Sequence, residues 1–171
     1  MKKLLVLGFA LMLLNACKNE KQRYFSESAE INTFRTSISD YNKADWTAWS
    51  AHFADTIKFY VNSTKGVSIN EFKQSQMDLL INFSSYSFLN KDSFMEMVVD
   101  SDEETWINYW ATWRGTLDAN QKEIDIPVHI TSQFIDGKMV KLYSYWDSAP
   151  ITAALHEIAT ERIAAEVEQQ E

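Results

Sequence analysis

The chain of 171 residues carries a formal net charge of −8 and a single cysteine, Cys17. A chain this acidic has no electrostatic attraction to phosphate backbones, which excludes nucleic acid as an expected partner. One cysteine permits no intramolecular disulfide and no cysteine-based metal site. Aromatic residues are abundant, with 6 Trp, 7 Tyr and 10 Phe, whereas Gly and Pro number only 4 and 2. This composition predicts one globular domain stabilised by an apolar core.

The amino terminus has the layout of a secretory signal peptide. A short positively charged segment precedes an apolar run, 4–14, which is too short for a bilayer core that requires roughly twenty residues. The sequence Leu14-Asn15-Ala16-Cys17 then resembles the lipobox of bacterial lipoproteins, in which cleavage falls directly before the cysteine. The resemblance implies removal of residues 1–16 and lipidation of Cys17. Since each buried methylene contributes about 0.8 kcal/mol, two or three acyl chains would hold the protein at a membrane.

The residues around the expected cleavage site also indicate a location. Lipoproteins retained at the inner membrane often carry Asp directly after the cysteine, whereas this chain has Lys18. We therefore expect a lipid-anchored protein of the cell envelope, at the outer membrane rather than the inner one. Residues 17–28 would be the lipidated cysteine and a polar tether. Removing Lys2 and Lys3 from the 16 basic residues leaves 14 against 24 acidic ones, so the domain should stand off from anionic lipid.

The first part of the mature chain has helical apolar spacing. Apolar residues recur at mostly helical intervals between Ile31 and Phe53, and the pattern breaks at residues 42–45. Two helices are predicted here, with the Asp45 side chain capping the second by accepting from free backbone amides.

A short strand and a third helix are predicted next. Residues 56–62 alternate between apolar and polar side chains, as a strand does. Ser68 is a typical cap for a helix running from Ile69 to about Phe83, and Glu71 completes a capping box.

The second half is rich in aromatic and β-branched residues, which favours strands. Four strands are predicted, over residues 93–100, 104–117, 124–136 and 138–146. Asp136-Gly137 predicts a tight hairpin between the last two, because Gly accepts a positive φ at little cost. Helices followed by a long antiparallel sheet indicate an α+β fold. Pro150 then begins a carboxy-terminal amphipathic helix over residues 151–171.

Three stretches together resemble the nuclear transport factor 2-like superfamily, especially its SnoaL-like branch. They are Tyr41-Asn42-Lys43-Ala44-Asp45-Trp46, His52-Phe53-Ala54-Asp55, and residues 129–147 with Phe134-Ile135-Asp136-Gly137-Lys138-Met139-Val140 at the centre. The resemblance implies a SnoaL-like domain over residues 29–150, a cone-like curved antiparallel sheet wrapped around the amino-terminal helices, with an open pocket. The carboxy-terminal helix would be an addition to this fold. One scaffold serves many chemistries, so the resemblance alone does not determine the function.

Ketosteroid isomerases of this superfamily provide a test for catalysis. Relative to the position of Asp45, they place an oxyanion-stabilising Tyr eight residues earlier and a base Asp sixteen residues later. Here Ser37 and Val61 occupy these two positions. Val61 cannot take a proton and Ser37 is a weaker donor, which excludes ketosteroid isomerisation.

His129 and Asp147 are the best candidates for proton transfer in a SnoaL-like cyclase. A neutral imidazole accepts a proton near neutral pH, and burial in an aromatic pocket would raise the pKa of an Asp. The alternatives are a structural role for His129 in its strand and a capping role for Asp147 at the last helix. The His residues show no ligand spacing, so neither a metal site nor a cofactor is expected.

The most unusual feature is a set of aromatic residues in the strand 104–117. Trp106 and Trp110 would lie on one face of a regular strand, and Tyr109 and Trp113 on the other. In one interpretation both faces are packed, one by helices and one by a partner. In the other, the aromatic side chains line a pocket for an apolar or cyclic ligand.

The faces of the last strand add to the pocket hypothesis. If this strand is regular, one face carries Met139, Lys141, Tyr143, Tyr145 and Asp147, and the other carries Val140, Leu142, Ser144 and Trp146. Sequence parity does not decide which face lines the pocket. The candidate ligand-binding residues are Trp110, Trp113, Tyr143 and Tyr145.

Three functional hypotheses follow. The favoured one is a lipid-anchored envelope protein that binds a small apolar or aromatic molecule without catalysis. The second is a SnoaL-like isomerase, cyclase or dehydratase that uses His129 and Asp147 for proton transfer. The third is a structural module that forms a homodimer through its sheet, as many members of the superfamily do.

Overall fold

The structure, a computed structural model, describes residues 21–169. The expected signal peptide, Cys17 and the beginning of the tether lie outside the described residues. Between residues 21 and 169, no helix is both long and apolar enough to cross a membrane. The elements in chain order are β1 (Tyr24–Phe25), α1 (Ala29–Asn42), α2 (Trp46–Ser50), β2 (Phe53–Val61), α3 (Ile69–Leu80), β3 (Phe83–Phe88), β4 (Phe94–Val99), β5 (Thr105–Leu117), β6 (Glu123–Ile135), β7 (Lys138–Trp146) and α4 (Ala149–Glu168).

The helical layer begins with two capped helices. The Ser28 hydroxyl accepts a hydrogen bond from the Ile31 amide at 3.0 Å and so starts α1. The chain turns at Ala44, with φ of 56°, and Asp45 then accepts from the Ala48 amide at 2.9 Å to start α2. The prediction of two helices separated at residues 42–45, with Asp45 as the cap, is confirmed.

Helix α3 begins as predicted but ends earlier. Ser68 and Glu71 form the capping box, in which the Ser68 amide donates to a Glu71 carboxylate oxygen at 2.8 Å. The helix ends at Leu80, and Phe83 begins β3, so the prediction of helix as far as Phe83 was wrong. Leu80 and Phe83 are spaced as they would be in a continuing helix. Only the pairing of β3 with β5 shows that Phe83 belongs to a strand. Strand β3 was absent from the sequence prediction for this reason.

Within the described part of the chain, the sheet is curved and open and has seven strands. Its main path runs β1-β4-β5-β6-β7-β2, and β3 pairs with the second half of β5, beside β4. Strands β5 and β6 are the longest at 13 residues each and form the centre. Strand β2 joins β7 in parallel, whereas the other pairs are antiparallel. The predicted α+β fold, with a cone-like sheet around the helices and an added carboxy-terminal helix, is confirmed.

The hairpin between β6 and β7 is confirmed, but β7 is not regular. Asp136 and Gly137 have φ of 51° and 74°, as a primed two-residue turn requires. Phe134 pairs with Met139 and Gln133 pairs with Lys141, so a bulge lies between these positions. The bulge moves Met139, which is fully buried, out of the face that carries Lys141 and Tyr143. The expected face of five alternating residues is therefore wrong at its first member.

Helix α4 covers one end of the sheet with its first half only. Ile151, Ala154 and Ile158 are buried, whereas Ile163 and Val167 are 63% and 55% exposed. Pro150 lies in the first turn of α4. Backbone N–H groups in a first turn have no partner within the helix, so the missing N–H of proline costs no hydrogen bond there.

Candidate ligand-binding site

A cavity lies between the helical layer and the inner face of the sheet. Its volume is about 90 Å³, counted as the space open to the centre of a water molecule. A single water needs only about 10–15 Å³ on this measure, so the space is large enough for a small organic molecule. The lining side chains are mainly aromatic and aliphatic. The principal ones are Phe34, Trp49, Phe59, Phe72, Phe88, Trp113, Ile126, Val128, Ile130 and Leu142.

Alternation along the strands explains why the wall is apolar. In β6, Ile126, Val128 and Ile130 are buried and point inward, whereas His129 lies between them on the outer face. Ser144 of β7 pairs with Ile130 and belongs to the same wall. The inner face of β6 and β7 therefore forms one side of the cavity.

A small polar group lies in this apolar wall, contributed by three different elements. The Tyr41 hydroxyl of α1 donates a hydrogen bond to Gln76 Oε1 of α3 at 3.2 Å. Burial raises the pKa of Tyr41 above its ordinary value, so the phenol stays protonated at physiological pH. The Ser37 hydroxyl donates to the Phe34 carbonyl at 2.7 Å. Trp113 of β5 also belongs to this wall, and its indole N–H is buried.

The position of the Trp113 ring is determined by its neighbours. Phe83 packs edge-on against it, with ring centroids 5.2 Å apart at 87°. Gly115, two residues further along β5, leaves room for the ring, because a Cβ at Gly115 would come within 2.4 Å of Trp113 Cη2. The indole is therefore held in one orientation against the cavity.

The described side chains that line the cavity are uncharged. Among residues 21–169, the lining contains no Asp, Glu, His, Lys or Arg. The polar atoms come instead from Ser, Tyr, Gln and Trp side chains, which are neutral donors and acceptors. This arrangement can recognise an uncharged molecule and hold it in one orientation.

Trp113 is the only one of the six sequence-predicted site residues that lines the cavity in the described structure. Trp110, Tyr143 and Tyr145 lie on the outer face of the sheet, as does His129. Trp110 pairs across the strands with His129, and His129 pairs with Tyr145. The structure therefore separates Trp113 from the other aromatic candidates, as the strand parity of Trp110 and Trp113 requires.

Four aromatic side chains on the outer face of the sheet, one from each of four adjacent strands, form a row of neighbouring rings. The rings of Trp110 and His129 are 4.6 Å apart and within 10° of parallel. Phe94 flanks Trp110 at 5.5 Å, and Tyr145 flanks His129 at 6.3 Å. Phe94, Trp110 and Tyr145 are 55%, 39% and 50% exposed. We call these four residues the outer aromatic stack.

The surroundings of His129 and Asp147 differ from those expected of a catalytic acid–base pair. Desolvation in the outer aromatic stack lowers the pKa of His129, and its Nε2 has no hydrogen-bond partner within the described chain. Asp147 is exposed and accepts a hydrogen bond from the Ala149 amide at 2.9 Å, at the beginning of α4. Asp147 lies one residue before the N-cap Ser148, so its contact places it beside the helix start, near the capping position that was the alternative for it. Neither residue lines the cavity.

Tyr41 and Gln76 do not stand out in the sequence as site residues. Tyr41 falls within the helical apolar spacing between Ile31 and Phe53, and Gln76 is one polar residue of a predicted helix. A usable signal was the position of Gln76 four residues after Phe72, on the face of α3 that packs inward. Their meeting depends on how α1 packs against α3, which no local pattern encodes.

No protein-family profile and no curated protein matches the sequence. Solved structures do resemble it. A presumed SnoaL-like polyketide cyclase from Jannaschia sp. CCS1 has a TM-score of 0.62 and 14% identity, over 79% of this chain and 96% of that one. An NTF2-like protein of unknown function from Burkholderia pseudomallei gives 0.57 and 14%, over 73% and 95%. PrhC from Penicillium brasilianum gives 0.62 and 14%, over 81% and 93%. At these identities the similarity establishes the SnoaL-like fold alone.

Proposed function

We propose that this domain binds an uncharged, largely apolar small molecule in the cavity between its helices and the inner face of the sheet. The observation that carries the proposal is the composition of the wall, which is aromatic and aliphatic with a few neutral polar groups. Pockets of this kind derive affinity from apolar burial and specificity from a few placed hydrogen bonds. The resemblance to a presumed polyketide cyclase agrees with a cyclic, apolar ligand class.

Binding is favoured over proton-transfer catalysis by the position of the ionisable groups. A general base must lie within hydrogen-bond reach of the proton that it removes. The neutral phenol of Tyr41 is the titratable group of the wall among the described residues, and its raised pKa makes it a weak acid. The alternative, an isomerase, cyclase or dehydratase that uses His129 and Asp147, would require the substrate to bind outside this cavity.

A matched pair of fluorescent probes tests the proposal. N-phenyl-1-naphthylamine is neutral, and 8-anilino-1-naphthalenesulfonate has the same ring skeleton with a sulfonate. We expect the neutral probe to bind at least about tenfold more tightly, because an ionised group would be buried without a partner. The measurement is a fluorescence titration of the chain from residue 17 with Cys17→Ala, here called the lipid-free chain, which lacks no residue that the structure describes. Equal affinity for both probes, or no binding of either, would contradict the proposal.

We also propose that Cys17 carries a lipid that anchors the domain in the cell envelope. The support is the sequence 14–17 together with the preceding apolar run. Mass spectrometry of the native protein should find a chain that begins at Cys17 with two or three acyl chains attached. A native chain with an intact Met1 and an unmodified thiol would refute the anchor.

The outer aromatic stack favours a further role as the contact surface of a homodimer. Three of its four rings are 39% exposed or more, and the stack crosses four adjacent strands. A second copy would bring an identical surface to it through a two-fold axis. Sedimentation of the lipid-free chain should show a dimer that Trp110→Glu converts to a monomer. A wild-type monomer at high concentration would contradict this role.

A further inference from the structure

The indole N–H of Trp113 is a buried hydrogen-bond donor with no acceptor within residues 21–169. Its side chain is 6% exposed and forms part of the cavity wall. A Trp indole only donates, and a buried donor without a partner costs free energy. Such a group in a native protein calls for an explanation, and a bound molecule that accepts its hydrogen bond supplies one.

Two other hydroxyl groups around the cavity already have partners. The Ser37 hydroxyl donates to a backbone carbonyl at 2.7 Å, and the Tyr41 hydroxyl donates to Gln76 at 3.2 Å. The Trp113 N–H lies beside the Tyr41 oxygen and partly offsets the rise in the pKa of Tyr41, but it does not reach hydrogen-bonding geometry. Among the cavity residues that the structure describes, the Trp113 N–H is therefore the buried donor without a hydrogen-bond partner.

We infer that the ligand presents a neutral oxygen acceptor, a carbonyl or an ether, to the indole N–H of Trp113. This inference rests on the proposed function and specifies the class of the ligand. The remainder of the molecule is apolar and cyclic, because the surrounding wall is aromatic and aliphatic. The oxygen is uncharged, since no Lys, Arg or His of the described residues lines the cavity to pair with a carboxylate.

Two small aromatic compounds of nearly equal shape test this inference on the lipid-free chain. Acetophenone carries a carbonyl at the position where ethylbenzene has a methylene. We expect acetophenone to bind about fivefold to tenfold more tightly, because it alone accepts the hydrogen bond. In ¹H–¹⁵N spectra the indole proton of Trp113 should move downfield with acetophenone and not with ethylbenzene.

Two variants on β5 provide the matched comparison. Trp113→Phe keeps an aromatic ring and removes the donor, so it should abolish the preference for acetophenone over ethylbenzene. Trp106→Phe removes an indole that lies on the outer face and donates to Glu104, so the preference should persist. If Trp113→Phe does not fold, the indole shift in the wild-type protein still decides the question.

Each outcome has a distinct meaning. Binding of both compounds with equal affinity and no shift of the Trp113 indole proton would overturn the inference and leave the proposed function standing. A Trp113 indole signal that moves in Tyr41→Phe but not on addition of acetophenone would assign the N–H to Tyr41 and also overturn it. Binding of neither compound would overturn the inference, and it would refute the proposed function as well if N-phenyl-1-naphthylamine also failed to bind.

Discussion

Phe59→Ala should lower the free energy of unfolding by about 3–5 kcal/mol. Phe59 has no exposed surface, and its ring stacks on Phe72 of α3 with centroids 4.3 Å apart at 6°. Trp49 and Phe53 pack against the same ring at 5.8 and 5.2 Å. Truncation therefore removes apolar burial and opens a void at the point where the helices meet β2. Urea unfolding monitored by circular dichroism measures the change.

Phe94→Ala provides the control for this prediction. Phe94 is the same residue type but is 55% exposed on the outer face, so its truncation should cost about 1 kcal/mol or less. Similar losses for the two variants would show that Phe59 does not lie in a tightly packed core.

Ser144→Leu should reduce the affinity for N-phenyl-1-naphthylamine by at least about tenfold. Ser144 is 7% exposed and belongs to the cavity wall, so a larger side chain there would occupy the space of the ligand. Overpacking should also cost about 1–3 kcal/mol of stability, which leaves the fold intact in a domain of ordinary stability. Fluorescence titration measures the affinity, and a thermal scan checks the fold.

The adjacent residue of β7 supplies a matched control with the opposite expectation. Tyr145 is 50% exposed on the outer face, next to His129 in the stack. Tyr145→Leu should leave the affinity for the neutral probe unchanged. Loss of binding in Tyr145→Leu but not in Ser144→Leu would instead support the ligand-binding role that the sequence analysis assigned to Tyr145.

The parts of the fold that local chemistry specifies could be predicted from the sequence. Asp45 and Ser68 mark helix starts because their side chains accept from the first free amides. Asp136 and Gly137 specify the hairpin because both residues tolerate positive φ. These signals lie within a few residues of the structure that they determine.

The parts that depend on distant pairing could not be predicted. Phe83 continues the helical spacing of α3 and becomes a strand residue through its pairing with Leu117. Met139 changes face through a bulge that depends on the register between β6 and β7. Both features require knowledge of which strand lies alongside.

The candidate site could likewise be predicted only in part from the sequence. Strand parity correctly separated Trp110 from Trp113, but it could not tell which of them faces the helices. The inner face is the one on which the helices pack, with α1 against β5 and α4 against β6. The meeting of Tyr41, Gln76 and Trp113 joins residues up to 72 positions apart in the sequence, from α1, α3 and β5.

The proposal that the inner cavity binds a neutral molecule is tested most directly by finding which face of the sheet the molecule contacts. Intermolecular nuclear Overhauser effects can be recorded between N-phenyl-1-naphthylamine and the methyl groups of the lipid-free chain. A ligand in the cavity should show contacts to Val128, Ile130 and Leu142 of the inner wall. Contacts confined to the rings of Trp110 and Tyr145 on the outer face would contradict the proposal.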